Sequence, residues 1–276
     1  MSLASRLPYD HPFAGGYPSL GSQPLPTDSD CLTYLANVAS ADGSGVEVGV
    51  AMALDAFFRD LKATPGLFDA IKASCILCGA RTITGALVPL AGTAPTPYNF
   101  ASGDYSRTTG LKGDGATKYL DTNRAGNADG QNDAHIAVYK TDTALASGYI
   151  AGRYTSAGTL AGISRSGSNP RFWVNDAVGY TPSTGDAAIA GFFAASRNSP
   201  SQIAWKSPTS GDTGAASSTG VSAWTTNIFA TTSGSDGSPA GYSDARLAFY
   251  SIGSSLDLAA LDNRVSTLVA SIAAAI

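Results

Sequence analysis

The sequence predicts a mainly β protein: a two-sheet antiparallel sandwich, preceded by a small helical region and followed by a C-terminal helix. Three observations predict it. Gly is abundant (31 of 276 residues) and charged residues are scarce, which is the composition of short strands joined by small-residue turns. From Arg81 onward, period-two runs of β-forming residues recur between turn signals. Helical spacing is confined to residues before about 80 and after about 255.

Residues 1–28 are expected to form an extended, Pro-rich arm. Pro8, Pro12, Pro18, Pro24 and Pro26 remove backbone donors and disfavour helix in the residues before them. The arm also carries Leu3, Leu7, Tyr9, Phe13, Tyr17 and Leu20, which a plain linker does not need. These residues are expected to anchor the chain by lying on another surface.

Residues 29–80 are expected to be a small helical anchoring region. A cap at Asp28, Ser29 or Asp30 starts a helix bearing Leu32, Leu35 and Val38. A second helix places Val50, Leu54, Phe57, Phe58 and Leu61 at helical spacing and breaks at Pro65-Gly66. A third is expected over 67–79, with Phe68, Ile71, Cys75 and Cys78 on one face. Cys75 and Cys78 form a CxxC, but no second ligand pair follows, so the motif reads as buried packing rather than zinc or redox chemistry.

Residues 81–276 carry the sandwich. Candidate strands fall at 84–91, 109–114, 117–122, 134–141, 148–154, 159–165, 171–176, 187–197, 202–206, 227–232 and 246–252. The chain closes with a helix over 255–276. There Leu258, Leu261, Val265, Leu268 and Ile272 step by three and four residues, as packing on the sandwich or a seam between copies both require.

The net charge of −4, with no basic stripe, argues against nucleic acid. No run approaches the ~20 apolar residues that a membrane helix needs, so no membrane insertion is expected. The N-terminal sequence lacks the apolar core of a signal peptide, which points to synthesis in a cytoplasm.

Candidate sites are few. Glu47 is the single glutamate and sits in the helical region, so the carboxylate pair of a glycanase is not visible and no catalytic residue is assigned. His135 beside Asp133 and nearby serines has the composition of a triad, but reads as a polar strand-edge histidine. Asp129, Asn132 and Asp133 are weak calcium candidates, and no other cofactor is expected. Sugars are held by flat aromatic faces with planar polar groups. Trp224 and Tyr180 are the first candidates for that role, followed by Trp205 and Arg171.

GLKGDGATKYLDT (110–122) resembles the strand–turn–strand of concanavalin-like, laminin-G-type sandwiches. Gly113, Asp114, Gly115, Tyr119 and Leu120 carry the match, with Gly113 in place of an aromatic and Lys118 in place of an acid. RLAFYSIGSSLDLAALDNRV (246–265) resembles the closing strand and helix of that group. From about Phe68 to Leu268 the chain is also similar to virion proteins of tailed bacteriophages. KASCILCGARTITGALVPLAGTAP, GLKGDGATKYLDTNR and RLAFYSIGSSLDLAALDNRVSTL are the runs that carry this likeness.

The resemblance implies a jelly-roll type sandwich in a non-enzymatic virion structural protein. Its N-terminal part would anchor it on other virion proteins of capsid or tail. Its sandwich would face host surface glycan or copies of itself, as in a trimer. It leaves open a tail fibre that attaches to the host, a capsid decoration or head-fibre cement without a ligand and, least of all, a polysaccharide depolymerase.

Overall fold

The computed structural model describes residues 25–155, 158 and 160–276. The six apolar anchors assigned to the arm, from Leu3 to Leu20, lie outside the described residues. In chain order the elements begin with α1 (Ser29–Asp42), α2 (Val48–Ala63), α3 (Leu67–Ala70), β1 (Ile71–Ile76), α4 (Ile83–Ala86) and β2 (Pro89–Ala91). There follow β3 (Thr96–Tyr98), β4 (Tyr105–Ser106), β5 (Gly110–Lys112), β6 (Tyr119–Ala125), β7 (Ala134–Lys140) and β8 (Ala151–Tyr154). The second half runs β9 (Leu160–Ser166), β10 (Asn169–Asp176), β11 (Gly191–Arg197), β12 (Gln202–Lys206), β13 (Gly211–Ala215) and β14 (Thr225–Ile228). It ends with β15 (Thr231–Thr232), β16 (Pro239–Ala240), β17 (Arg246–Gly253) and α5 (Leu258–Ala275).

Local chemistry sets the helix ends. Asp28 caps α1 by accepting hydrogen bonds from the Asp30 and Cys31 amides, and Gly43 ends it in the left-handed region at φ 74°. Asp257 caps α5 in the same way through the Ala259 and Ala260 amides. Asp55, buried on α2, accepts from the backbone amides of Thr27 (2.7 Å) and Asp28 (2.8 Å), which fixes the entry of the chain.

All strand pairs are antiparallel and form a mainly β sandwich. The larger sheet runs β13-β12-β11-β7-β17-β1-β2, with β5 also paired to β17 and β4 to β5. The smaller sheet runs β10-β9-β8-β14-β6-β3. One core fills the space between them, with Leu120, Ile136, Val138, Ile163, Phe172, Phe193, Ile228 and Tyr250 at its centre.

A second core covers the other face of the larger sheet. There Phe192, Ala194, Ala248 and Phe249 meet Val50, Phe57 and Phe58 of α2 and Leu261, Val265 and Ile272 of α5. The molecule therefore has three layers, and β11 and β17 are buried along nearly their whole length.

The third helix expected over 67–79 is corrected. Its first residues form the single turn α3, and residues 71–76 are strand β1, held between β17 and β2. A run buried on both faces has no periodicity that separates strand from helix, and the pairing partners decide. Cys75 enters the core between the sheets and Cys78 the core beneath the helices, so the CxxC thiols face different layers.

The strand expected over 84–91 is likewise mostly the turn of α4, with only β2 extended. Edge strands β3 and β13 carry Pro97 or Gly211 and Gly214 and give no strand signal of their own.

The α5 stripe is filled from within the chain. Leu258, Leu261, Val265, Leu268 and Ile272 are all buried in the second core. Gly49 of α2 lies so close to Ala275 that a Cβ there would sit 2.9 Å from the alanine methyl. The stripe is therefore not an oligomer seam. The larger sheet needed a cover, and α5 supplies it.

Candidate functional site

The outer face of the smaller sheet is aromatic. Along β6, Leu120 and Thr122 point inward and are buried, so Tyr119, Asp121 and Asn123 face out by the alternation of a strand. On β10, Phe172 and Val174 belong to the inner core and Trp173 faces out. On β8, Ala151 is buried in that core, and Gly152 and Tyr154 look outward.

Two aromatic groups result. Tyr98 and Tyr119 stack face to face, with ring centroids 4.4 Å apart and planes 2° from parallel, and Tyr242 meets Tyr119 edge-on at 6.1 Å. Burial, and then the neighbouring Tyr98, push the Tyr119 phenol up to about 12. At the opposite edge, Tyr149 packs on Trp173 at 5.7 Å, and the Arg171 guanidinium covers the Trp173 ring at 4.6 Å. Between these groups runs the β15–β16 hairpin, whose turn residues Gly234 and Gly237 lie against Tyr154 and Trp224.

Among the described residues, the most exposed aromatic rings are Tyr98 (41 %), Tyr154 (39 %) and Trp224 (38 %). All three stand on this sheet or on the loop that enters it.

The four sugar candidates from the sequence do not converge. Trp224 is exposed beside the start of β14, where its carbonyl accepts from the Gly126 amide at 3.0 Å. Arg171 lies on the outer face and donates to the Val178 carbonyl at 2.7 Å. Trp205 is corrected: it is buried in the inner core, stacked with Phe172 at 6.1 Å. Tyr180 packs on Trp205 at 6.1 Å and over Gly214, closing the end of the sandwich rather than offering an open ring.

Sequence reasoning missed Tyr98, Tyr119 and Tyr242 as ligand candidates. The alternation Tyr119-Leu120-Asp121-Thr122-Asn123 was the available signal for Tyr119. Tyr98 carried none, because its partner strand is distant in sequence.

Two of the three calcium candidates are committed elsewhere, while the Asn132 Oδ1 is buried without a hydrogen-bond partner among the described residues. Asp129 makes a two-pronged ion pair with Arg124, at 2.9 and 2.6 Å. Asp133 accepts from the Ser255 amide and hydroxyl, both at 2.7 Å, and so ties β7 to the approach of α5. Among the described residues no three carboxylates, histidines or cysteines gather at one point.

His135 is buried under the turn before α5. Its Nδ1 donates to the Ser254 carbonyl at 2.6 Å, which leaves Nε2 to accept from the Ser251 hydroxyl at 2.7 Å. Serine and base are thus in contact, yet both are buried among sheet and helix residues, and Asp133 is turned to Ser255 instead. Burial holds the imidazole down at about 4. Glu47 is clasped by Arg107 and Arg81, and Arg107 holds its carboxyl below the ordinary range.

No protein-family model matches the chain, and no curated protein matches it. Among solved structures it is similar to NanB sialidase from Streptococcus pneumoniae, at 10% identity and a TM-score of 0.34 over 51% of this chain. A mutant of the same sialidase matches with 11% identity and the same TM-score. The match takes in about a quarter (24%) of the sialidase chain.

Proposed function

We propose that this chain is a non-enzymatic structural protein of a bacteriophage virion. Its N-terminal part anchors it to capsid or tail, and its sandwich attaches the particle to host surface glycan. The virion half of this reading rests on the sequence runs that resemble virion proteins of tailed phages. The glycan half rests on one observation, the outer face of the smaller sheet with its exposed Tyr98, Tyr154 and Trp224.

Flat rings flanked by amide and hydroxyl groups suit pyranose faces, and the net charge of −4 favours neutral over acidic sugars. Catalysis is not part of the proposal, and three carboxylates are held by arginines. Glu47 binds two arginines, Asp129 binds Arg124, and Asp176 accepts from the Val174 amide and pairs with Arg197.

Incubating purified protein with host cells and their extracted polysaccharide tests this. Saturable binding that falls about five-fold in Trp224→Ala is expected, since one stacked ring contributes roughly 1 kcal/mol. Release of reducing sugar would make the chain a depolymerase. Binding to empty heads without binding to cells would make it a cement protein.

A further inference from the structure

The stacked tyrosines were not among the sugar candidates, and their setting is unusually fixed. β3 is only three residues long and lies at the edge of its sheet. It is pinned at both ends by asparagines in the left-handed region, Asn99 (φ 62°) and Asn123 (φ 56°). Asn99 donates to the Thr117 carbonyl at 2.9 Å, and Asn123 donates to the Ala94 carbonyl at 2.9 Å and to the Thr96 hydroxyl at 3.1 Å. The clamp holds Tyr98 against Tyr119 and leaves it 41 % exposed. A rigid ring loses little entropy on binding a flat ligand.

From Tyr119, the outward side of β6 leads through Asp121 and Asn123 to Ala125, which pairs with Thr225 beside Trp224. Between Asp121 and Ala125 β6 is bulged and spans only two residues of β14, Asn227 to Thr225, so the path is about 13 Å at roughly 3.3 Å per residue. It has aromatic rings at each end and, between them, the Asp121 carboxylate, which among the described residues accepts only from the Asn123 amide.

We propose that Tyr98 and Tyr119, backed by Tyr242, form a second sugar-stacking platform, and that the strip along β6 between it and Trp224 takes a linear neutral polysaccharide several sugars long. This rests on the glycan-binding reading above and adds to it the ligand's length, charge class and direction. A single sugar fills one platform; only a chain fills both.

The test is titration calorimetry with the cello-, chito- and malto-oligosaccharide series, from one to six sugars. For the wild-type protein, affinity in at least one series should rise about ten-fold or more between two and six sugars. Tyr98→Ala should keep the affinity for short oligomers and lose the gain with length, and Tyr98→Phe, which keeps the ring, should restore it. Trp224→Ala should show the same loss from the other end.

A length-dependent gain that survives in both Tyr98→Ala and Tyr119→Ala overturns the second platform while leaving the glycan-binding reading intact. A shift of Tyr98→Ala to a smaller sedimenting species, with sugar binding unchanged, would make the stack a contact between copies and overturn it as well. No length-dependent binding in any series by wild-type protein that still binds the host polysaccharide overturns the strip alone, and no binding to either overturns both readings.

Discussion

His135 shows how one residue can read as chemistry in sequence and act as structure in space. Its two ring nitrogens are satisfied by Ser254 and Ser251, and it stays neutral because charging it there would strand a cation in the core. Its folded pKa of about 4 lies below the ordinary histidine value, so the unfolded chain binds the extra proton between pH 6.5 and 4. Stability therefore falls as pH falls through that window. From pH 7 to pH 5 the loss from this group is about 2 kcal/mol, read as a drop in the urea midpoint. His135→Gln should be less stable at pH 7 and should lack that share of the slope.

The cysteines belong to the same scale. All three are buried, and burial pushes the Cys75 and Cys78 thiols up to about 12. A thiol reagent at pH 8 should label none in the native protein and three after denaturation.

At the scale of elements, α5 carries the clearest consequence. Its apolar stripe covers the larger sheet beside α2, and its polar edge is fastened by Asp262 to Lys206 of β12 at 2.9 Å. Leu261→Ala should cost about 2–5 kcal/mol in chemical unfolding, as expected for a leucine removed from a packed core. The sedimentation coefficient of the folded fraction should not change, whereas a seam between copies would make it fall. Lys206→Ala should cost about 1 kcal/mol or less, because that pair is partly exposed.

The same scale explains which elements were legible. α1, α2, α5, β7 and β12 each carry a cap, a clean period or a closed alternation in their own residues. β1 does not, since Ile71 and Ile76 are buried in one core and Ala73 and Cys75 in the other.

At the scale of the molecule, the three layers make the helices part of the sandwich rather than a separable base. β1, from the segment expected to be helical, lies between β17 and β2, and α1 and α2 cover the sheet that β1 helps to build. A fragment of residues 25–276 should unfold cooperatively near the wild-type midpoint. A fragment of residues 81–276 should be insoluble or molten, because it lacks the strand between β17 and β2 and exposes the helix-covered face. Circular dichroism and analytical ultracentrifugation of the two fragments check this. A folded, monomeric 81–276 would show that the helical layer is dispensable.

The features legible in the residues themselves were local. Strand and helix periods, caps and turns lie within a few residues of one another, so the mainly β class, the flanking helices and most strand positions could be read directly. What each face meets was set by the packing of the layers. It set Trp205 into the core and left Trp224 outside, and it brought Tyr98 onto Tyr119 across a β3–β6 pairing. It also turned the α5 stripe inward onto the larger sheet. A side chain's pattern shows that it will be buried or stacked, but its partner comes from a distant part of the chain, and only the packing of the layers selects it.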